Sequence, residues 1–98
     1  MGDYVKEYLA RTPGSKNLFE RAEKFIPGGV CHGPRYFAPH PLYINKTRGS
    51  KIYDVDGNEY VDLWMGHYSH IMGHQPEHIA RLLEEKIGDG THWGIVNQ

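Results

Sequence analysis

The sequence predicts an α+β fold in which helices come first, a three-stranded antiparallel meander follows, and a last helix covers the sheet. Three observations support this prediction. Apolar residues recur at helical spacing between positions 18 and 26 and again after position 76. Between them, residues 50–64 form two runs rich in Tyr, Val and Ile around an Asp-Gly step. That pattern is typical of a β-hairpin.

Two helices are expected before the sheet. Asp3 is suited to cap a leader helix over residues 1–14, which Pro13-Gly14 would end. Ser15 or Asn17 is the expected N-cap of the second helix, and Pro27-Gly28-Gly29 is its expected stop. The apolar stripe of this second helix consists of Leu18, Phe19, Ala22, Phe25 and Ile26.

The meander is expected to start with a strand over residues 42–45, to turn at 48–50, and to continue as the hairpin of residues 50–64. The step Asp56-Gly57 supplies the positive φ angle that a tight hairpin turn needs. A third helix is expected to begin near Pro76 and to end at Gly88 and Gly90. Its apolar stripe, which is expected to cover the sheet, consists of Ile79, Leu82, Leu83 and Ile87.

Composition excludes several classes of function. The 98 residues carry a formal net charge of −1, so they lack the basic surface that binds nucleic acid or anionic membranes. No apolar run reaches the ~20 residues of a membrane-spanning helix, and the N-terminus has no apolar signal region. Cys31 is the single cysteine, which excludes an internal disulfide and favours the cytoplasm. A chain of this length is one small domain or part of a larger one.

Three motifs resemble one enzyme family. Residues 54–62, Asp-Val-Asp-Gly-Asn-Glu-Tyr-Val-Asp, resemble the D-x-D-G-N-x-Y-x-D motif of class III pyridoxal-phosphate aminotransferases. Residues 27–30, followed by Arg35 and Phe37, are similar to the preceding segment of the glutamate-1-semialdehyde aminomutase branch. Residues 71–77 resemble the L-G-H-x-x-P-E segment that follows. The three motifs occur in family order and cover most of the chain from Ser15 onwards.

The resemblance implies that this chain is the N-terminal segment of a fold type I enzyme whose large α/β domain lies outside it. Residues 15–98 would be the N-terminal part of the small domain and the start of the connection to the large one. The implied activity is amino-group transfer on a small amino acid or amino aldehyde by a cytoplasmic homodimer with pyridoxal phosphate. No lysine of this chain matches the family's Schiff-base position, so neither catalytic residues nor cofactor ligands are expected here. The alternative is a stand-alone, non-catalytic interaction module that kept this fold.

The resemblance also implies substrate-binding residues. Arg35 matches the arginine that binds the substrate carboxylate in aminomutase-like enzymes, and a guanidinium in a loop offers a planar fork for that group. His32 stands where that branch has a serine, and His67 and Tyr68 stand where it has a tryptophan and a glycine beside the substrate pocket. All four are expected to contact substrate. The hairpin carboxylates, among them Asp54, Asp56, Glu59 and Asp62, are expected to be structural.

A metal site is not expected. His70, His74 and His78 recur every four residues, a spacing that on one helix would chelate a metal. Gly73 and Pro76 interrupt any helix through them. Cys31 has no neighbouring base other than His32 and is expected to be an ordinary thiol.

Overall fold

The computed structural model of the chain describes residues 2–90 and residue 95. Three helices are α1 (Asp3–Arg11), α2 (Pro13–Ala22) and α3 (Glu77–Lys86). Between α2 and α3, one antiparallel sheet has the order β1-β2-β3 and consists of β1 (Ile44–Arg48), β2 (Lys51–Asp54) and β3 (Glu59–Val61). Short 3-10 turns lie at Pro27–Gly29, Gly33–Arg35 and Ile87–Asp89. The predicted α+β class, with helices and a three-stranded antiparallel meander, is confirmed.

Helix α2 begins at Pro13, before the predicted caps Ser15 and Asn17. Its N-terminus is capped from the hairpin instead, because the two Asp56 carboxylate oxygens accept the backbone N–H groups of Gly14 at 2.6 Å and of Ser15 at 3.0 Å. The Ser15 hydroxyl is used elsewhere and accepts the N–H of Tyr43 at 3.1 Å. A carboxylate at a helix N-terminus satisfies unpaired donors and complements the helix dipole.

Asp54 is the centre of the hairpin turn and is only 1% exposed. Its carboxylate accepts hydrogen bonds from the backbone N–H groups of Asp56 and Asn58, the Asn58 amide and the Tyr60 hydroxyl, at 2.8–3.0 Å. Burial alone would raise the pKa of Asp54, but these hydrogen bonds outweigh it and hold the pKa below its usual value. The Asn58 amide also donates to the Arg11 carbonyl at 2.8 Å, so the turn is joined to the end of α1 as well. Gly57 has the predicted positive φ, 85°.

Both outer strands differ from their predicted bounds. Strand β1 starts at Ile44 rather than at residue 42, and the register shifts between Ile44 and Lys46 in a β-bulge. Strand β3 ends at Val61, short of the predicted Trp64. The chain turns there because the Asp62 carboxylate accepts the N–H of Trp64 at 2.8 Å and of Met65 at 3.0 Å.

The loop between α2 and the sheet is anchored on α1 by buried polar side chains. The Thr12 hydroxyl donates to the Tyr8 carbonyl at 2.7 Å, so the His40 ring nitrogen Nε2, 3.0 Å away, is the donor to Thr12. The Tyr8 hydroxyl in turn donates to the His40 carbonyl at 2.7 Å. Thr12 and His40 are 1% and 2% exposed, so this loop segment is fixed without a large apolar core.

Apolar burial is very small in the described part of the chain. Phe19 is its one buried large apolar side chain, whereas Thr12, Ser15, His40, Asp54 and Asp62 are buried polar residues. The radius of gyration is 17.0 Å, compared with about 13 Å for a compact domain of about 100 residues. Hydrogen bonds to carboxylates therefore hold the described elements together, and most apolar side chains remain available to other surfaces.

Helix α3 is present as predicted, but its apolar stripe does not cover the sheet in the described part of the chain. Ile79, Leu82, Leu83 and Ile87 are 40–65% exposed. The segment before α3 is joined to the sheet through paired backbone hydrogen bonds between Gly49 and His74. The stripe is thus free for a different surface. None of the helices in the described ranges is long and apolar enough to cross a membrane.

We expect the 98-residue chain, purified alone, to self-associate or to unfold without a single cooperative transition. The reason is that apolar residues such as Leu63 and Ile71, at 84% and 91% exposure, are left uncovered by the residues that the structure describes. Sedimentation velocity and thermal melts across a concentration series measure this. A dilute monomer with one cooperative melt and strong amide protection would contradict it.

The cap on α2 is tested by Asp56→Ala. Losing an N-terminal cap costs about 0.5–2 kcal/mol, so amide exchange at Gly14 and Ser15 should become about 2–30 times faster. Asp3→Ala is the matched control, since Asp3 is an exposed aspartate in the first turn of α1. Unchanged exchange at Gly14 and Ser15 in Asp56→Ala would show that the carboxylate does not cap α2.

Candidate functional site

A groove of about 590 Å³ lies between the loop after α2 and the first strand. We call it the Arg35 groove. Its walls are almost entirely apolar and include Ile26, Val30, Phe37, Leu42, Ile44 and Trp64. Among the described lining residues, Arg35 is the one that carries a charge. The groove therefore combines an apolar surface with a single cation.

Arg35 is positioned by the 3-10 turn Gly33–Arg35, in which its backbone N–H donates to the His32 carbonyl at 2.9 Å. Its side chain is exposed, and it forms no ion pair with the residues that the structure describes. A guanidinium without a protein carboxylate presents its donor fork to solvent and to ligands. The geometry thus suits the binding of an anion at Arg35.

The other predicted site residues gather around Trp64. The Trp64 ring lies 5.0 Å from the His67 ring and 5.1 Å from the Tyr68 ring, and the His32 ring lies 5.7 Å from that of His67. Trp64 also lines the Arg35 groove. The structure thereby brings His32, His67 and Tyr68 to one aromatic cluster at the rim of the groove that holds Arg35. Whether they contact substrate stays a prediction.

Trp64 is the site residue that sequence reasoning misses. The alternating pattern of the hairpin assigns it to the third strand, but the chain leaves the sheet at Asp62. Asp62 itself is the sequence signal, since an aspartate side chain can accept the backbone N–H two residues ahead and so turn the chain.

A left-handed turn presents this cluster. Met65, Gly66, His67 and Tyr68 have φ angles of 46°, 58°, 60° and 64°. Left-handed backbone costs about 1–2 kcal/mol for each non-glycine residue, so this turn is strained. A Cβ on Gly66 would overlap the His70 ring, which explains the glycine inside the turn. Strained backbone is concentrated at functional sites, where the surrounding contacts enforce it.

The Asp62 carboxylate is the main restraint on that turn. One of its oxygens accepts the N–H groups of Trp64 and Met65, and the other lies 2.7 Å from Nε2 of His74. Both side chains are about nine-tenths buried, with 8% and 10% exposure. The hydrogen bond from His74 lowers the pKa of Asp62 despite the opposing effect of burial.

Metal binding finds no support in this arrangement. His74 is engaged by Asp62, and the ring of His70 packs 4.8 Å from that of His74. The described residues contain no group of three side chains suited to hold a metal ion. Cys31 is exposed and lines the Arg35 groove, where it has no hydrogen-bonded base among the described residues.

Solved structures share this fold. An omega-transaminase from Sphaerobacter thermophilus matches 91% of this chain with a TM-score of 0.79 and 33% identity, over 21% of its own length. A transaminase solved with PLP bound matches 88% of the chain with a TM-score of 0.81 and 30% identity, over 20% of its length. The helices and meander therefore form a segment of a fold type I pyridoxal-phosphate transaminase.

Sequence comparison identifies the family. The glutamate-1-semialdehyde 2,1-aminomutase of Methanosphaera stadtmanae is 42% identical over 84 residues, which is 86% of this chain and 20% of that protein. Residues 33–97 match the family described as Aminotransferase class-III. The chain belongs to the class III aminotransferase family. It spans about a fifth of the length of these relatives, and none of them is a stand-alone interaction module.

Pyridoxal phosphate is the cofactor of this family, and in the described residues three lysines and the N-terminus of one helix are already engaged by protein carboxylates. The side chains of Lys16, Lys51 and Lys86 form surface ion pairs with neighbouring carboxylates. The N-terminus of α2, which would otherwise suit a phosphate, is occupied by the Asp56 carboxylate.

The restraint on the left-handed turn should depend on pH. Because the folded-state pKa of Asp62 lies below its ordinary value, the ionised form stabilises the turn above about pH 4. This stabilisation is lost as pH falls through the depressed folded-state pKa. NMR titration of the Trp64 and Met65 amides in dilute protein should show an inflection below about pH 3.9.

Asp62→Asn is the control for that titration and should remove the inflection, because an amide does not ionise. Absence of a Trp64 amide inflection below about pH 4 in the unmodified chain would contradict the assigned role of Asp62.

Proposed function

We propose that this segment shapes the substrate entrance of a pyridoxal-phosphate-dependent class III aminotransferase or glutamate-1-semialdehyde 2,1-aminomutase-like enzyme. In this proposal the full enzyme moves an amino group on a small amino acid or amino aldehyde, and Arg35 binds the substrate carboxylate. Family membership supports the reaction class, and the curated relative at 42% identity is named for glutamate-1-semialdehyde.

The observation that carries the proposal is the Arg35 guanidinium, which forms no ion pair with any described residue and lies in an otherwise apolar groove. A carboxylate that enters the groove finds one cation and no competing anion among the described lining residues. Charge-assisted hydrogen bonds to a guanidinium are short and directional, and an apolar surrounding strengthens them. Arg35 thus fixes one end of the substrate.

The aromatic cluster is the second part of the proposed substrate entrance. The rings of His67 and Tyr68 pack beside Trp64, and the His32 ring packs beside that of His67. In the proposal these rings exclude water from the bound substrate and orient it, while pyridoxal phosphate, held by residues outside this segment, supplies the electron-withdrawing chemistry. The segment itself contributes no catalytic residue.

We further propose that residues 1–14 are a leader segment, which contains α1 and the first residues of α2, and that residues 15–98 are the first part of the small domain and its connection to the large one. The exposed stripe of α3 and the exposed Leu63 and Ile71 support contact with the large domain or with the second subunit of a homodimer. We place the enzyme in the cytoplasm, which suits the exposed thiol of Cys31.

In the full-length enzyme, Arg35→Ala should lower kcat/KM for carboxylate substrates by about one to three orders of magnitude, because charge-assisted hydrogen bonds contribute about 1.5–3 kcal/mol each. Much of the loss should lie in KM. Arg35→Lys should recover only part of the loss, since an ammonium lacks the planar fork. Steady-state kinetics with carboxylate substrates and with the corresponding amines measure both effects.

Arg81→Ala is the matched control, because Arg81 lies on α3, is 67% exposed and pairs only with Glu77 among the described residues. Cofactor absorbance should stay unchanged in every variant. If Arg35→Ala matches the unmodified enzyme on all carboxylate substrates, the Arg35 groove does not bind the carboxylate.

A further inference from the structure

The side chains that line the Arg35 groove indicate which chemical group a bound carboxylate would carry. Apart from Arg35, the described lining is made of aliphatic and aromatic side chains, proline and glycine, with the Cys31 thiol and the Tyr43 hydroxyl as its other polar groups. The volume of about 590 Å³ falls within the range of about 300–1,000 Å³ that is usual for ligand pockets. A short, polar substrate would leave most of this apolar wall uncovered. An apolar group attached to the carboxylate would cover it.

Trp64 is a part of the wall that is held by hydrogen bonds on both sides of its backbone. Its backbone N–H donates to the buried Asp62 carboxylate at 2.8 Å, and its carbonyl accepts the N–H of Tyr68 at 2.8 Å. Its ring is packed at 5.0–5.1 Å from those of His67 and Tyr68, yet the residue is 48% exposed. A ring that is fixed by its neighbours and partly exposed is a preformed stacking surface, and it lines the same groove as the Arg35 cation, which has no ion pair among the described residues.

We propose that Trp64 is a specificity-determining residue that selects carboxylate substrates with an aryl or similarly bulky apolar side chain in the Arg35 groove. This proposal rests on the proposed role of Arg35 and deepens it by naming the substrate class. Arg35 fixes the carboxylate and Trp64 packs against the apolar group. Charge complementarity at one end and apolar complementarity along the wall point to the same occupant.

The test uses the full-length enzyme and two acids that lack an amino group, 3-phenylpropanoate and propanoate, so that binding is measured without turnover. Isothermal titration calorimetry should show that 3-phenylpropanoate binds about 10–100-fold more tightly, because its ring is buried against the wall. Trp64→Ala should remove most of this preference and leave the affinity for propanoate unchanged. Trp64→Phe should keep most of it, since an aromatic face remains.

Phe25→Ala is the matched control, because Phe25 is an exposed aromatic residue outside the groove lining, and it should change neither affinity. Equal affinity for the two acids in the unmodified enzyme would overturn the proposal, and this comparison needs no variant to fold. A preference that survives in Trp64→Ala would also overturn it. Arg35→Ala separates the two claims, because it should weaken the binding of both acids. If it weakens neither acid while Trp64→Ala still removes the preference for 3-phenylpropanoate, the proposed role of Arg35 fails and the role of Trp64 in selecting the apolar group stands.

Discussion

The Asp56 carboxylate in the hairpin turn accepts two backbone N–H groups from the start of α2, and the rest of the segment depends on this contact. Asp54, two residues earlier, shapes the turn that presents Asp56, and Asn58 joins the same turn to the end of α1. Residues more than 40 positions apart are thereby joined by a few charge-assisted hydrogen bonds. The residues of the D-x-D-G-N motif thus join the sheet to both N-terminal helices.

A polar framework of this kind has a consequence for stability. Buried carboxylates must keep all their partners, since removing one donor leaves an unpaired charge in a desolvated place. Apolar burial, which usually supplies most of the stability of a domain, is nearly limited to Phe19 in the described part of the chain. The segment is therefore well specified in shape and weakly stabilised by itself. Its exposed apolar residues support the proposed contact with the large domain or with a second subunit.

Sequence reasoning recovers the local elements and misses the long-range contacts. Helical periodicity predicts α2 and α3, and the Asp-Gly step predicts the hairpin, because these signals lie within a few neighbouring residues. The cap on the N-terminus of α2 comes from Asp56, which is 42 positions from Gly14, so no local pattern could place it. Residues Arg35, His32, His67 and Tyr68 are named through the family resemblance.

Trp64 is the site residue that sequence reasoning misses. The alternating strand pattern continues through Trp64, whereas in the structure the Asp62 carboxylate turns the chain and the strand ends at Val61. The apolar residues Trp93 and Val96 lie outside the described residues.

The central claim is that Arg35, the lone charge among the described lining residues of an apolar groove, binds the substrate carboxylate. A crystal structure of the full-length enzyme with a bound carboxylate substrate analogue tests it most directly. Both carboxylate oxygens of the analogue should lie about 2.7–2.9 Å from the Arg35 guanidinium nitrogens, and its apolar part should pack against Trp64. An Arg35 side chain turned to solvent, with the carboxylate held by another residue, would contradict it.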